Sequence, residues 1–329
     1  MGGCEAYRMT IPADYLQTQG KVVDYAHWST VQKQANLATR SGAPGPGAYD
    51  IYVFPRSGPA IEGTTELLRR AGKKLVLEVD DDFTGRHRNV ISVQEHYDVI
   101  WRFARQYTDA ITVSTAYLVE LMRRETNKPV YVLPNSVHLG TWVYSKKRPQ
   151  FTIGLTGSIT HAADWIVLQD VIPTILERYT EVHFLLGGFR PDYWEQLVTH
   201  PRVEFQPWVE YRDYPRIAGS AHIVLCPVDP TDSFNLSKSG LKAIEGMASK
   251  AAVIATDMQI YRDVMVNMRH GLLVPHTPEA WYAAIESLII DRQLRSQYAG
   301  AGQQHVRRHF SIDRNAILWW QAYRSIAQL

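Results

Sequence analysis

FNLSKSGLKAIEGMASKAAVIATD runs from Phe234 to Asp257, and its two halves follow different periods. From Leu236 onward the apolar residues Leu241, Ile244, Met247 and Ala248 return at helical spacing, which predicts a helix over 237–249. AAVIAT (251–256) follows at once and reads as a strand apolar on both faces, as does HIVLCPV (222–228) before it. Strand, helix and strand in that order form one unit of a parallel sheet covered by helices.

The same alternation extends in both directions. Upstream, strands are expected at 22–26, 50–55, 74–79, 110–114 and 130–134, with helices at about 29–39, 59–71, 92–108 and 115–126. Around the opening stretch, strands are expected at 151–157, 182–188, 203–206, 222–228, 251–256 and 271–275. Their helices fall near 162–178, 191–199, 211–219, 237–249 and 258–266. PNSVHLGTWVYSKKRPQ (134–150) carries Pro, Gly and a charge cluster but little periodicity, and separates the two runs. The fold class is therefore α/β, with two doubly wound, Rossmann-like domains, residues 1–144 and 145–311, facing a cleft. Beyond 277 the pattern is helical to the end, with a break at Phe310-Ser311. Ligands of such sheets bind outside the carboxyl ends of the strands.

Composition agrees with a globular chain: 329 residues, 45% hydrophobic and 21% charged, long enough for two cores. The longest apolar runs are too short to span a bilayer, and no basic-then-apolar leader opens the sequence. Two cysteines, Cys4 and Cys226, fit a reducing compartment and a buried thiol better than a disulfide framework or a metal site, so a cytoplasmic location is expected. The net charge is +2; residues 1–150 carry 19 Lys and Arg against 15 Asp and Glu, the rest 16 against 18. That split fits solvated helix surfaces and is also compatible with a phosphate-bearing partner.

The strand ends supply the candidate site residues. TGSITHAAD (156–164) offers Gly157 for close backbone approach, Ser158 and Thr160 as caps, and His161 in the first turn beyond, a natural anion seat or a plain capped helix. Gly187-Gly188 ends the next strand, and Trp208 follows another, where it fits a nucleobase platform or core. On the 237–249 helix, Lys238, Lys242 and Glu245 recur four and three residues apart, which also fits a solvated face with one weak ion pair. Because this helix leaves a strand end, its amino end with Lys238 suits a diphosphate, and Glu245 further along suits a pair of ribose hydroxyls. On the first-domain side, EVDDDF places Asp80, Asp81 and Asp82 at a strand exit, with Ser114, Thr115 and Asn135 at others. The acids can face an acceptor, cap a helix or seat a metal; the others cap and turn equally well.

KAIEGMASKAAVIATD is similar to the segment of family-4-type glycosyltransferases that reads Glu, an alanine-rich helix, then a strand ending in Thr or Ser and Asp. GSITHAAD resembles the Gly-Ser-x-x-His-x-x-Asp opening of the donor domain in one short, phage or bacterial type of branch. FNLSKSGLKAIE resembles that branch's Phe-Asn, Lys-Ser, Lys and Glu pattern, which adds Asn235 and Ser239. AYRMTIPADYL (6–16), with Arg8, resembles the entry to the first helix. LVLEVDDDF, DAITVSTAYL and VYVLPN resemble first-domain strands. Two departures stand out. Ser237 occupies the place of a second Glu that normally touches the donor sugar. Met1-Gly2-Gly3-Cys4 begins where family members have finished a first strand, which implies a short start or a trimmed first domain.

The resemblance implies a GT-B fold with the final helix, 312–329, packed back on the first domain. It also implies a glycosyltransferase that moves a sugar from a nucleotide-diphosphate sugar, UDP- or GDP-linked, to a hydroxyl acceptor with retention of configuration. No tightly bound metal is expected. Lys238, with Lys242 as a weaker second cation, is assigned to the leaving phosphate, and Asp81 to base catalysis if the reaction inverts. The acceptor is open between glycan or lipid-linked sugar and a hydroxymethylated base in phage-type DNA. A nucleotide-sugar epimerase of the same fold and a non-catalytic nucleotide-sugar-binding module are the alternatives.

Overall fold

The computed structural model describes residues 5–23, 49–55, 62–83, 94–143 and 145–329. Cys4 and most of the segment expected to form a strand at 22–26 and a helix at 29–39 lie outside the described residues. Among the described residues, Ser136–Ser311 form one compact unit, and the chain before Ser136 together with Ile312–Leu329 forms another.

The first unit holds β1 (Ile51–Pro55), β2 (Lys74–Val79), β3 (Ala110–Val113) and β4 (Val130–Val132), all parallel and in sequence order. Around them stand α1 (Ile11–Thr18), entered through a π-helical turn at Ala6–Thr10, then α2 (Glu62–Arg70), α3 (Gln94–Gln106) and α4 (Ala116–Glu125). Thr115 caps α4, its Oγ1 accepting the Leu118 N–H. The final helix of the chain (Ile312–Ala327) belongs here too. Ile326 and Tyr323 pack on Val76, Ala110, Ile51 and Val53 of the sheet.

Under that helix lies a buried polar knot. Arg8 Nε donates to Glu78 Oε1 at 2.7 Å, and its Nη1 donates to Asn135 Oδ1 at 2.9 Å and to the Leu133 carbonyl. The guanidinium lies 4.7 Å from the centre of the Trp319 ring. Glu78 also accepts from Thr112 Oγ1. Burial pushes its carboxyl up to about 7 although Arg8 pulls it down.

The second unit begins with α5 (Leu139–Val143) and holds β5 (Phe151–Gly157), β6 (Val182–Gly188), β7 (Val203–Pro207), β8 (Ile223–Cys226), β9 (Ala252–Thr256) and β10 (Gly271–Val274). Its parallel sheet has the order β10-β9-β8-β5-β6-β7, so the winding reverses between β5 and β8. The 136–150 segment is tied to this unit. Val137 N–H donates to the Phe310 carbonyl at 2.9 Å, Ser145 Oγ to Pro215 O at 2.8 Å and Lys147 Nζ to Gly219 O at 3.0 Å. Burial pulls the Lys147 ammonium down to about 7.

One face of the six-stranded sheet, with Ile153, Leu155, Phe184, Leu186, Ile223 and Ile254, meets α6 (Val171–Arg178) and, after α7 (Tyr214–Ala218), α8 (Leu241–Ala248) and α9 (Gln259–Arg262), α10 (Pro278–Ile290). Ile172, Ile175, Trp281, Ile285 and Leu288 are the helical side of that layer, each contributing about 1.5–3 kcal/mol by burial. On the opposite face α8 lies against β8 and β9. A Cβ on Gly246 would sit 2.9 Å from Val253 Cγ2 and 3.2 Å from Val224, so the absence of a side chain sets how near the helix comes. α11 (Arg292–His309) closes over α8, and the last helix becomes α12 in chain order. Cys226 is a buried free thiol, pushed up to about 12 by its surroundings, burial first.

All five helices expected in the second unit are shorter than their sequence patterns: 211–219 keeps only Tyr214–Ala218 and 258–266 only Gln259–Arg262, and the other three show why. The 162–178 segment has a single turn at Ile166–Leu168 before α6, because Pro173 lacks the N–H that a longer helix needs. The 191–199 segment holds two separate turns, Asp192–Trp194 and Leu197–Thr199. The 237–249 helix starts only at Leu241. Its N-cap, Gly240, is crowded by another segment, a Cβ there falling 2.4 Å from Val264 Cγ2 and 2.6 Å from Ile260 O.

Two half-buried histidines should make this fold acid-sensitive. His222 and His305 are both held down to about 4, chiefly by burial. Between pH 6.5 and 4 the unfolded chain therefore takes up protons that the folded chain refuses, and stability falls as pH falls through that window. Melting temperatures measured from pH 7.5 to 4.5 should drop on the acid side. Replacement of His305 by Phe should flatten part of the drop.

Candidate active site

The reversal between β5 and β8 puts the exits of those two strands side by side, where ligands of doubly wound sheets bind. β5 ends at Gly157, in register with Gly188 at the end of β6. Gly188 has φ +91°, and a Cβ there would come 2.3 Å from the Gly157 carbonyl, so only glycine fits. A side chain on Gly157 would strike Trp165 and His161 at 2.8 and 2.9 Å. The chain then turns through Ile159–His161, with Ser158 Oγ and Thr160 Oγ1 2.8 Å apart.

From this turn the buried carboxylate of Asp164 becomes the centre of the site. Its Oδ1 accepts from the Asp229 backbone N–H at 2.8 Å, in the loop that leaves β8, and from Asn235 Nδ2 at 2.7 Å. Its Oδ2 stands 2.8 Å from His161 Nδ1 and 3.3 Å from Lys238 Nζ. Every polar group that approaches is a donor or can be one, which fixes Asp164 as the anion. Burial opposes that charge, but the His161 hydrogen bond and the Lys238 ammonium hold the carboxyl down to about 2. His161 is held down to about 3, first by burial and then by Lys238, against the upward pull of Asp164. The imidazole is thus neutral at physiological pH. Its ring lies parallel to that of Trp165, within 3°.

Lys238 does not share a helix with Lys242 and Glu245, as the spacing predicts. It precedes Gly240, in the link between the turn Ser233–Leu236 and α8, and its ammonium lies 5.1 Å from the Phe234 ring centre. Gly240, where a side chain would strike Val264 and Ile260, is the N-cap of α8, so Lys238 lies before the helix start. Ser237 Oγ donates to the Phe234 carbonyl at 2.7 Å and is buried. Ser239 lies partly buried beside it.

Glu245 belongs to a second group. It is buried in α8 and accepts from the Tyr214 hydroxyl at 3.1 Å, which is in turn 2.9 Å from Thr156 Oγ1. Lys242, Glu245, Tyr214, Thr156 and Trp142 line one small pocket. Burial, with Glu245 next, raises the Tyr214 hydroxyl well above its ordinary value, so it donates rather than ionises. Trp208 is 59% exposed beyond β7, a free aromatic face rather than core.

In the first unit, Asp80, Asp81 and Asp82 follow β2, Ser114 follows β3 and Asn135 lies beyond β4, all along one edge of the parallel sheet. Asp82 is buried, while Asp80 and Asp81 are partly exposed. Ser114 Oγ donates to the Asp80 carbonyl at 3.1 Å. Arg8 is buried and engaged with Glu78, Leu133 and Asn135, as described above. Among the described residues no group of three or more His, Cys, Asp or Glu side chains is placed to hold a metal ion.

Residues 150–291 match the family described as glycosyl transferases group 1. That stretch contains the whole Asp164 network and the Glu245 group apart from Trp142. The chain is 29% identical over 168 residues to the phosphatidyl-myo-inositol mannosyltransferase of Mycobacterium leprae, covering 49% of this chain and 42% of that protein. It is 33% identical over 88 residues to the lipopolysaccharide core biosynthesis mannosyltransferase LpcC of Rhizobium leguminosarum bv. viciae, 26% of this chain and 25% of that one. The matched stretch thus spans less than half the length of these curated relatives. Among solved structures, Anabaena Alr3699/HepE in complex with UDP-glucose superposes with a TM-score of 0.67 at 15% identity, covering 91% of this chain and 82% of that one. Sucrose-phosphate synthase from Thermosynechococcus elongatus gives 0.64 at 16%, covering 94% and 82%. The two α/β units carry the fold of GT-B glycosyltransferases.

The second unit has one site feature that the sequence pattern does not reveal. Asp164 was quoted only as the end of a motif, whereas it is the residue that joins the β5 exit, the β8 exit and the Lys238 link. The available signal was its place, three residues after His161 and on the same side of one turn.

Proposed function

We propose that this chain is a glycosyltransferase that takes the sugar of a nucleoside diphosphate sugar and passes it to a hydroxyl acceptor. The observation that carries this reading is the Lys238 ammonium set beside the β5 exit, at the reversal point of a sheet that matches the glycosyl transferases group 1 family. Departure of the nucleotide leaves negative charge on its terminal phosphate while the sugar carbon becomes cationic. A fixed ammonium lowers the energy of that separation. Lys238 is given this role, with Lys242 and the amino end of α8 as weaker contributors. Glu245, oriented by Tyr214, is given the ribose hydroxyls, Trp208 the base, and the glycines Gly157 and Gly188 the close approach of the pyrophosphate. Ser158, Asn235, Ser237 and Ser239 border the same donor site.

Asp80–Asp82, Ser114 and Asn135 mark the acceptor side, with Arg8 buried behind Asn135 as its support and Asp81 the base if the anomeric configuration inverts. The resemblance favours retention. Relatives named for phosphatidyl-myo-inositol and lipopolysaccharide core support a glycan or lipid-linked acceptor over a hydroxymethylated base. No described helix is long and apolar enough to cross a membrane.

A panel of UDP-, GDP-, ADP- and dTDP-sugars, read by thermal shift and by nucleotide release, tests the reading. One or two members should raise the melting temperature and be slowly hydrolysed. Absence of any shift at millimolar concentration overturns it.

A further inference from the structure

The network around Asp164 contains a surplus: two hydrogen-bond acceptors with no donor among the described residues. An anionic Asp164 can only accept, so the 2.8 Å contact with His161 requires the proton on Nδ1. In the neutral ring that leaves Nε2 with a lone pair, and among the described residues Nε2 has no hydrogen-bond partner. Asn235 spends both of its described hydrogen bonds through Nδ2, to Asp164 and to the Asp229 carbonyl at 2.9 Å. Its Oδ1 is buried and has no donor among the described residues. A phosphate oxygen cannot satisfy either atom, because it too is an acceptor. A hydroxyl group can.

We propose that His161 binds a hydroxyl group of the donor sugar as a hydrogen-bond acceptor, with Asp164 the positioning residue that fixes its tautomer. The inference rests on the glycosyltransferase reading. Its geometry follows from Lys238, whose ammonium lies 3.4 Å from His161 Nδ1. A phosphate bound to that ammonium brings the sugar it carries within a few bonds of the imidazole, whereas the base lies at the far end of the nucleotide. The charged groups facing the ring are Asp164, Lys238 and Lys242. The two cations oppose a second proton on the ring, and Asp164 opposes the loss of the first from Nδ1. Asn235, held by the same carboxylate, offers the second acceptor.

Two measurements test this. Histidine-labelled protein without ligand, followed by nitrogen-15 NMR through pH 6–8, should show His161 as the neutral Nδ1–H tautomer. Asp164→Asn should move the proton to Nε2, because the new amide donates to Nδ1. A ring with its proton on Nε2, or doubly protonated, in the unsubstituted protein overturns the proposal.

Dissociation constants for UDP-glucose and GDP-mannose, each paired with its free nucleotide, UDP or GDP, give the second readout. His161→Phe preserves an aromatic ring against Trp165 and removes both nitrogens. It should weaken the sugar nucleotide by about threefold to tenfold, the worth of one hydrogen bond, while changing the free nucleotide little. Equal weakening of both, or of neither, overturns the sugar assignment. If neither pair binds the unsubstituted protein, the functional reading itself fails, a result distinct from the other two.

Discussion

Lys238→Met should lower turnover of the preferred sugar nucleotide by on the order of 10²-fold while leaving the protein folded. The size follows from the role proposed for the ammonium at the leaving diphosphate: removal of one fixed donor to a developing oxyanion costs about 2.7–4 kcal/mol of barrier. The fold should survive because Asp164 retains three other donors: His161 Nδ1, Asn235 Nδ2 and the Asp229 N–H. Methionine also fills the stem's place over Phe234, against which Lys238 lies. The neighbouring imidazole gives the variant a pH signature. His161 is held low first by burial and second by Lys238, so loss of the ammonium lets its titration move upward. Acidification then restores a positive charge to the site, and the deficit in turnover should narrow from pH 8 toward pH 5.5. Initial rates across that range, beside melting curves for both proteins, check the claim. Turnover within threefold of the unsubstituted enzyme removes Lys238 from the chemistry.

The β strands were legible because parallel strands buried on both faces are runs of aliphatic residues, and ten of them lie within a residue or two of their expected ends. Helix lengths were less legible, for reasons the sequence distributes over distant segments. Nothing in SKSGLKAIE announces that Gly240 sits where a side chain would strike Val264 and Ile260, or that α8 starts only at Leu241, beyond Lys238. Pro173 was a local signal, and it was outweighed by the apolar periodicity around it. How the candidate residues connect was not legible. The exits of β5 and β6 carry glycine, serine and histidine in the sequence, while the bond between Asp164 and the Asp229 backbone depends on the neighbourhood of β5 and β8, which only the strand order supplies. Arg8 was read on the acceptor side from its motif. Its burial under α12 follows from the return of residues 312–329 to the first unit, a contact between the two ends of the chain.

That burial makes Arg8→Leu the most destabilising substitution expected outside the site. Arg8 and Glu78 are each 2% exposed and 2.7 Å apart, so removal of the cation strands a carboxylate in the core of the first unit. Breaking one partner of such a pair costs about 3–5 kcal/mol, whereas replacing both with apolar side chains of similar size is often neutral. The double variant Arg8→Leu, Glu78→Leu should therefore be more stable than Arg8→Leu alone, although Thr112 and Asn135 each lose a hydrogen bond in it. The pH dependence separates this cause from simple loss of packing around Trp319. Burial already raises the folded-state titration of Glu78 to about 7 with Arg8 present, and without Arg8 it rises further. A carboxyl whose folded value exceeds its unfolded value binds protons more tightly when folded, so stability is lost as pH rises above about 4.5. The Arg8→Leu deficit should accordingly be small at pH 5 and large at pH 8, and it should lose that slope in the double variant. Urea denaturation at the two pH values gives the comparison. A deficit that is the same at both would mean that Arg8 acts through its contacts with Trp319 and the Leu133 carbonyl rather than through its charge.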